Sequence, residues 1–133
     1  MSVTEDQTRQ RNMAAVEALY DAERRRDIED WARLWHPDGR QTFFLSTDVP
    51  PVIGREALVH ATRRKFEVRP PFGIEVVVQP FADPRQALAR LHLTFGAGIR
   101  PIDLWCIFTF DEQSLILEVE EMLDTANAYR MPQ

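Results

Sequence analysis

From about Thr8 to Arg26 the apolar residues Ala15, Val16, Leu19, Tyr20 and Ala22 recur at three- and four-residue steps, with Arg, Glu and Asp filling the gaps. That spacing predicts an amphipathic helix. Asp27 can cap a second, shorter helix in which Ile28, Trp31, Leu34 and Trp35 form one apolar stripe. His36-Pro37-Asp38-Gly39 is expected to break it, because proline stops helix propagation and Asp-Gly favours a turn. Arg40 to Leu45 then reads as a first strand with Phe43 and Phe44 on opposite sides. Ser46 to Ile53 contains Pro50-Pro51, which removes two backbone donors and suits an edge or loop segment. Gly54 to Phe66 predicts a third helix, apolar at Ala57, Leu58, Ala61 and Phe66 and ended by Arg69-Pro70-Pro71-Phe72-Gly73.

Beyond Gly73 the period changes to two. Ile74 to Phe81 is valine-rich, and Ala82-Asp83-Pro84 is a turn. Gln86 to Phe95 sets Ala87, Ala89, Leu91, Leu93 and Phe95 against Leu88, Arg90, His92 and Thr94. After a turn at Gly96 and Gly98, Ile102 to Phe110 is apolar on both faces, which predicts a central strand covered on both sides. Asp111-Glu112-Gln113 is a hairpin connection into a last strand, Gln113 to Asp124. There Leu115, Leu117, Val119, Glu121 and Leu123 share one face, and Ile116, Glu118, Glu120 and Met122 the other. Glu121 is thus a carboxylate on the more apolar face. Burying a polar group without a partner costs roughly 2–7 kcal/mol on transfer scales, so such an acid is paired, protonated or used.

Three helices followed by a run of long strands make an α+β layout, a twisted sheet folded around the helices as one domain over residues 1–133. A sheet curved in this way leaves volume on its concave side for a small molecule. At 133 residues and 15.5 kDa the chain is long enough to bury a core without staples. Its formal charge of -5 argues against a general nucleic-acid or anionic-membrane binder. Arg24-Arg25-Arg26 and Arg63-Arg64-Lys65 are expected on solvated faces near helix ends. The lone Cys106 cannot form an intramolecular disulfide, and no Cys/His cluster has metal-ligand spacing. The opening MSVTEDQTRQ is polar and acidic, unlike a signal or transit peptide, and no apolar run approaches the ~20 residues of a membrane span. A soluble, cytoplasmic chain is expected.

The phrase AVEALYDAERRRDIEDWARLWHPDG, followed by VIGREALVHA, resembles the opening of SnoaL-like and ketosteroid-isomerase-like proteins of the nuclear-transport-factor-two-like fold. Within that superfamily the chain is most similar to the phenazine-biosynthesis A/B proteins, through Leu45-Ser46-Thr47-Asp48-Val49-Pro50-Pro51-Val52-Ile53-Gly54. The resemblance implies a cone-shaped curved antiparallel sheet wrapped around three N-terminal helices, and a dimer. It places the family's helix histidine at His60 and its last-strand glutamate at Glu121, both implicated in acid/base handling of a substrate. Against the ketosteroid isomerases, the catalytic aspartate position falls near Phe43, the helix tyrosine near Leu19 with Tyr20 adjacent, and the protonated aspartate near Cys106, which argues against an isomerase of that type. Against the limonene-epoxide-hydrolase-like proteins, Arg90, His92 and Glu121 stand at similar places to the water-holding set.

The candidate catalytic pair is Glu121 as general acid/base and His60, at the border of the helix-three stripe, as its partner. Arg90, His92, Tyr20, Phe43, Trp35 and Cys106 are candidate substrate-binding residues, Cys106 as an inert small hydrophobe. For Arg90 and His92 two arrangements are open: both in solvent with the apolar strand face on the helices, or both in the pocket with Ala89, Leu91 and Leu93 buried in a dimer. The implied function is a cofactor-independent enzyme of a small cyclic keto or amino-keto metabolite, with a SnoaL-like cyclase or epoxide-hydrolase-like hydrolase, or a non-catalytic binding dimer, as alternatives.

Overall fold

A computed structural model describes residues 4–44, 48–96 and 98–123. Leu45-Ser46-Thr47 of the loop phrase and Asp124 lie outside these residues. The elements follow the order α1 (Glu5–Arg25), α2 (Ile28–Arg33), β1 (Trp35–Phe44), β2 (Val52–Ile53), α3 (Arg55–Val68), β3 (Gly73–Pro80), β4 (Gln86–Thr94), β5 (Ile102–Phe110) and β6 (Ile116–Leu123).

Helix α1 begins before its apolar stripe because Thr4 and Gln7 form a capping box: the Thr4 hydroxyl accepts from the Gln7 N–H at 3.1 Å, and the Gln7 side chain accepts from the Thr4 N–H at 3.0 Å. It ends where Arg26 turns left-handed, at φ 54°. Asp27 caps α2 as expected, accepting from the Asp30 N–H at 3.1 Å.

The six strands form one curved sheet in the order β2-β1-β6-β5-β4-β3. Neighbours run antiparallel except β1 and β6, which are parallel. Helix α1 packs on β3 and β4, and α3 on β1 and β2, so the helices occupy one face. Ala87, Ala89 and Leu91 of β4 and Leu104, Cys106, Phe108 and Phe110 of β5 are buried there. The β2 edge follows the two prolines, where missing donors cost least.

Several expectations are corrected. Trp35 is not the end of the α2 stripe but the first residue of β1, still buried and tilted against Trp31 with ring centroids 5.3 Å apart. His36-Pro37-Asp38-Gly39 does not precede the strand; it loops out within it, between the pairings Trp35↔Ile116 and Arg40↔Glu118. Gly39 is required by proximity: a Cβ there would lie 2.7 Å from Cε3 of Trp35 and 3.0 Å from the Ile116 carbonyl oxygen. In β6 the opposition of Phe110 to Ile116 and of Thr109 to Glu118 leaves Leu117 as an extra residue. That bulge shifts the phase, so Ile116 is buried while Val119, Glu121 and Leu123 keep the inward face. Strand β5 is central, yet no described element covers its outer face, where Trp105 remains 49% exposed. No helix among the described residues is long and apolar enough to cross a membrane.

Strand β4 resolves the choice left open for Arg90 and His92. Ala89 and Leu91 are 0% and 4% exposed within a single chain, packed toward the helices, so they are not available for a dimer contact. Arg90 and His92 consequently point away from the cavity. The Arg90 guanidinium lies over the Trp105 ring at 5.5 Å, and Nδ1 of His92 is 2.7 Å from a carboxylate oxygen of Asp103.

Candidate functional site

Between the helices and the concave face of the sheet lies a cavity of about 560 Å³. Its walls are mostly apolar, with the aromatic side chains of Trp31, Trp35, Phe43, Phe72, Phe95 and Phe108 among them. Phe43 and Phe44, expected on opposite sides of the strand, both reach the cavity.

Glu121 enters this space from β6, paired across the sheet with Cys106 on β5 and Phe43 on β1. Burial raises its pKa above the ordinary 4.5; Lys65 and Arg69 oppose the shift, and Glu23 adds to it. The Tyr20 hydroxyl and Cys106 thiol act on each other and feel the Glu121 charge, and both are pushed well above their ordinary values, chiefly by burial. Cys106 is therefore a neutral thiol and an inert one, as expected. Trp35 forms part of the wall, and its buried indole N–H has no hydrogen-bond partner among the described residues.

Opposite the sheet, α1 and α3 contribute a charged group. Along α1, Val16, Leu19, Tyr20 and Glu23 follow three- and four-residue steps, so Glu23 sits on the apolar stripe. On α3 Leu58, Thr62 and Lys65 share the inward face by the same rule. The Glu23 carboxylate accepts from Trp31 Nε1 at 3.1 Å and lies 3.5 Å from Nζ of Lys65. Arg64 and Arg69 stand at the rim.

The cavity thus brings together Glu121, Tyr20, Phe43 and Trp35; Cys106, expected to bind substrate, is buried in the core and does not line it. It does not bring in His60, which is exposed on α3 and is not among the lining residues; the helix turn that buries Leu58 and Thr62 directs position 60 to solvent. The expected pair of Glu121 with His60 is not formed, and Arg90 and His92 lie on the outer face. Glu23, Lys65 and Arg69 were not anticipated. The signal was present: Glu23 and Lys65 interrupt apolar helix faces as Glu121 interrupts a strand face. The run Arg63-Arg64-Lys65 is only partly a solvated face, because its last member turns inward.

Residues 16–118 match the model of the SnoaL-like domain. Among solved structures, the chain is similar to a candidate polyketide cyclase from Xanthomonas campestris pv. campestris, at 17% identity and a TM-score of 0.77, covering 93% of this chain and 98% of that one. A phenazine biosynthesis-related protein from Pseudomonas aeruginosa gives 15% identity and a TM-score of 0.75, covering 97% of this chain and 92% of that one. An LEH-like epoxide hydrolase from M. tuberculosis gives 19% identity and a TM-score of 0.68, covering 91% and 88%. At these identities the likeness shows the fold. No curated protein matches the sequence.

Proposed function

The chain belongs to the SnoaL-like domain family, and from that premise we propose that it is an acid/base enzyme acting on a small cyclic keto or amino-keto metabolite, by condensation or isomerisation as in the phenazine-biosynthesis A/B proteins. The observation that carries this reading is Glu121, a carboxyl in an aromatic cavity with its pKa raised by burial. A carboxyl tuned upward can take a proton from a carbon next to a carbonyl and return it, and such a group is most effective when its pKa approaches the working pH. Tyr20, protonated at any physiological pH, can donate a hydrogen bond toward a substrate oxygen. No cofactor enters this reading. The hydrolase alternative placed Arg90 and His92 beside Glu121 to hold a water, and their outward position withdraws support from it.

In this proposal the protein works as a cytoplasmic homodimer. The surface that supports a dimer is the uncovered outer face of the sheet, where Val77 is 57% and Trp105 49% exposed beside the charged Arg90 and Asp103.

The test is deuterium exchange at the α-carbon of a panel of cyclic ketones and amino-ketones in D2O, followed by NMR. Wild-type protein should accelerate exchange for at least one member, and Glu121→Gln should remove the acceleration while leaving binding within about tenfold. Undiminished exchange in the variant defeats the assignment.

A further inference from the structure

The chain as a whole is acidic, yet its cavity is not. Three cationic side chains, Arg64, Lys65 and Arg69, face two carboxylates, Glu23 and Glu121. Lys65 is half-buried rather than extended into water, and its ammonium is held near the Glu23 carboxylate, itself anchored by the Trp31 indole N–H. A chain that needed only to neutralise Glu23 could do so with one cation. The remaining positive charge at Arg64 and Arg69 has no carboxylate partner among the ion pairs of the described residues. Arg69 instead acts on Glu121 across the cavity.

Apart from Gln41 and Thr62, the rest of the lining is aromatic and aliphatic. Phe72 and Phe95 form a tilted pair with centroids 5.3 Å apart, and Phe43 and Phe44 complete the aromatic wall. Aromatic faces select planar, apolar bodies, and a fixed cation in a partly desolvated site selects an anionic group, since screening there is weaker than at the surface. We propose that the cavity takes a planar apolar molecule bearing an anionic oxygen group, a carboxylate or an enolate, and that Lys65, positioned by Glu23 and Trp31, and Arg69 seat that group. This rests on the reading of the cavity as the substrate site, and it names the substrate's charge. It gives Lys65 a role that complements Glu121: as the acid/base group removes a proton, negative charge accumulates on the substrate oxygen, and a pre-positioned ammonium lowers that cost without reorganising. Glu23 is then a positioning residue.

The probes are 2-naphthoate and its uncharged isostere 2-naphthamide, titrated at low ionic strength in a Trp105→Phe background. There the remaining indoles, Trp31 and Trp35, both line the cavity and report occupancy by quenching. Naphthoate should bind at least about tenfold tighter than naphthamide, and the preference should shrink as salt rises. Lys65→Met and Arg69→Met should each erode the preference while leaving naphthamide affinity within about threefold, which also shows that the variants are folded; Lys65→Arg should restore it. Equal affinities for the two probes, a preference that survives both methionine substitutions, or no saturable quenching by either probe at millimolar concentration overturns the proposal. Glu121→Gln separates this inference from the acid/base reading. It should lose α-proton exchange yet keep or strengthen the naphthoate preference, because it removes a negative charge and leaves the cations in place. A lysine-dependent preference without Glu121-dependent exchange retains the anion seat and removes the acid/base role; the reverse pattern does the opposite.

Discussion

Replacing Glu121 by Gln should make the protein more stable at neutral pH even as it removes activity. The side chain keeps its size and can still accept a hydrogen bond, but the charge is gone. Burying a polar group costs about 1–3 kcal/mol by mutational data, and an ionised one more. Lys65 and Arg69 return part of that cost to the wild type, while Glu23 adds to it. After the substitution Lys65 still has Glu23 at 3.5 Å and Arg69 is exposed to solvent, so no buried cation is stranded. The net gain should be on the order of 1 kcal/mol at pH 7–8, or roughly 3–5 °C in Tm for a chain of this length. Its pH dependence carries the sign. The folded pKa of Glu121 lies above its ordinary 4.5, so the folded state holds a proton that the unfolded state has released. Stability attached to this group is therefore complete below the unfolded pKa and is lost as pH rises through the folded one. Urea denaturation of both proteins from pH 4 to 8 should show the advantage of Glu121→Gln vanish at the acid end and grow through that window. A variant that is equally or less stable at pH 8, or an advantage that does not depend on pH, refutes the reading of Glu121 as a desolvated carboxyl.

Gly39→Ala should destabilise by about 1–3 kcal/mol, the usual cost of overpacking, because its Cβ would meet Cε3 of Trp35 at 2.7 Å; urea denaturation measures the loss, and a neutral effect contradicts the packing. Light scattering should find the wild type as a dimer and Trp105→Glu as a monomer, since a charge at the centre of the outer sheet face would be buried by association; a monomeric wild type removes the dimer.

Much of the fold was legible in the chain because its periods are unambiguous. The β4 alternation and the α1 stripe each follow one template, and the proline pair marked the segment leading into the edge strand. The failures have local causes. The His36–Gly39 segment looked like a terminator because proline and glycine end helices, but a strand can loop them out when its partner supplies a bulge at the same level, as β6 does at Leu117. His60 was placed by resemblance to a motif, and the helix phase around Leu58 and Thr62 points it elsewhere.

The sequence alone determined the apolar faces of α1 and β4 and that Glu121 shares a face with Val119 and Leu123: side-chain direction follows the period of the backbone, which is a local property. Only the tertiary structure decided what shares the cavity with it. Glu23 and Lys65 lie on different helices, 42 positions apart in the chain, and meet because α1, α2 and α3 converge on the concave face of one sheet. That convergence depends on the strand order, on the parallel joining of β1 to β6 and on which face of β4 the helices cover. None of these is encoded in a short window of residues, because each is settled by burying several apolar faces at once.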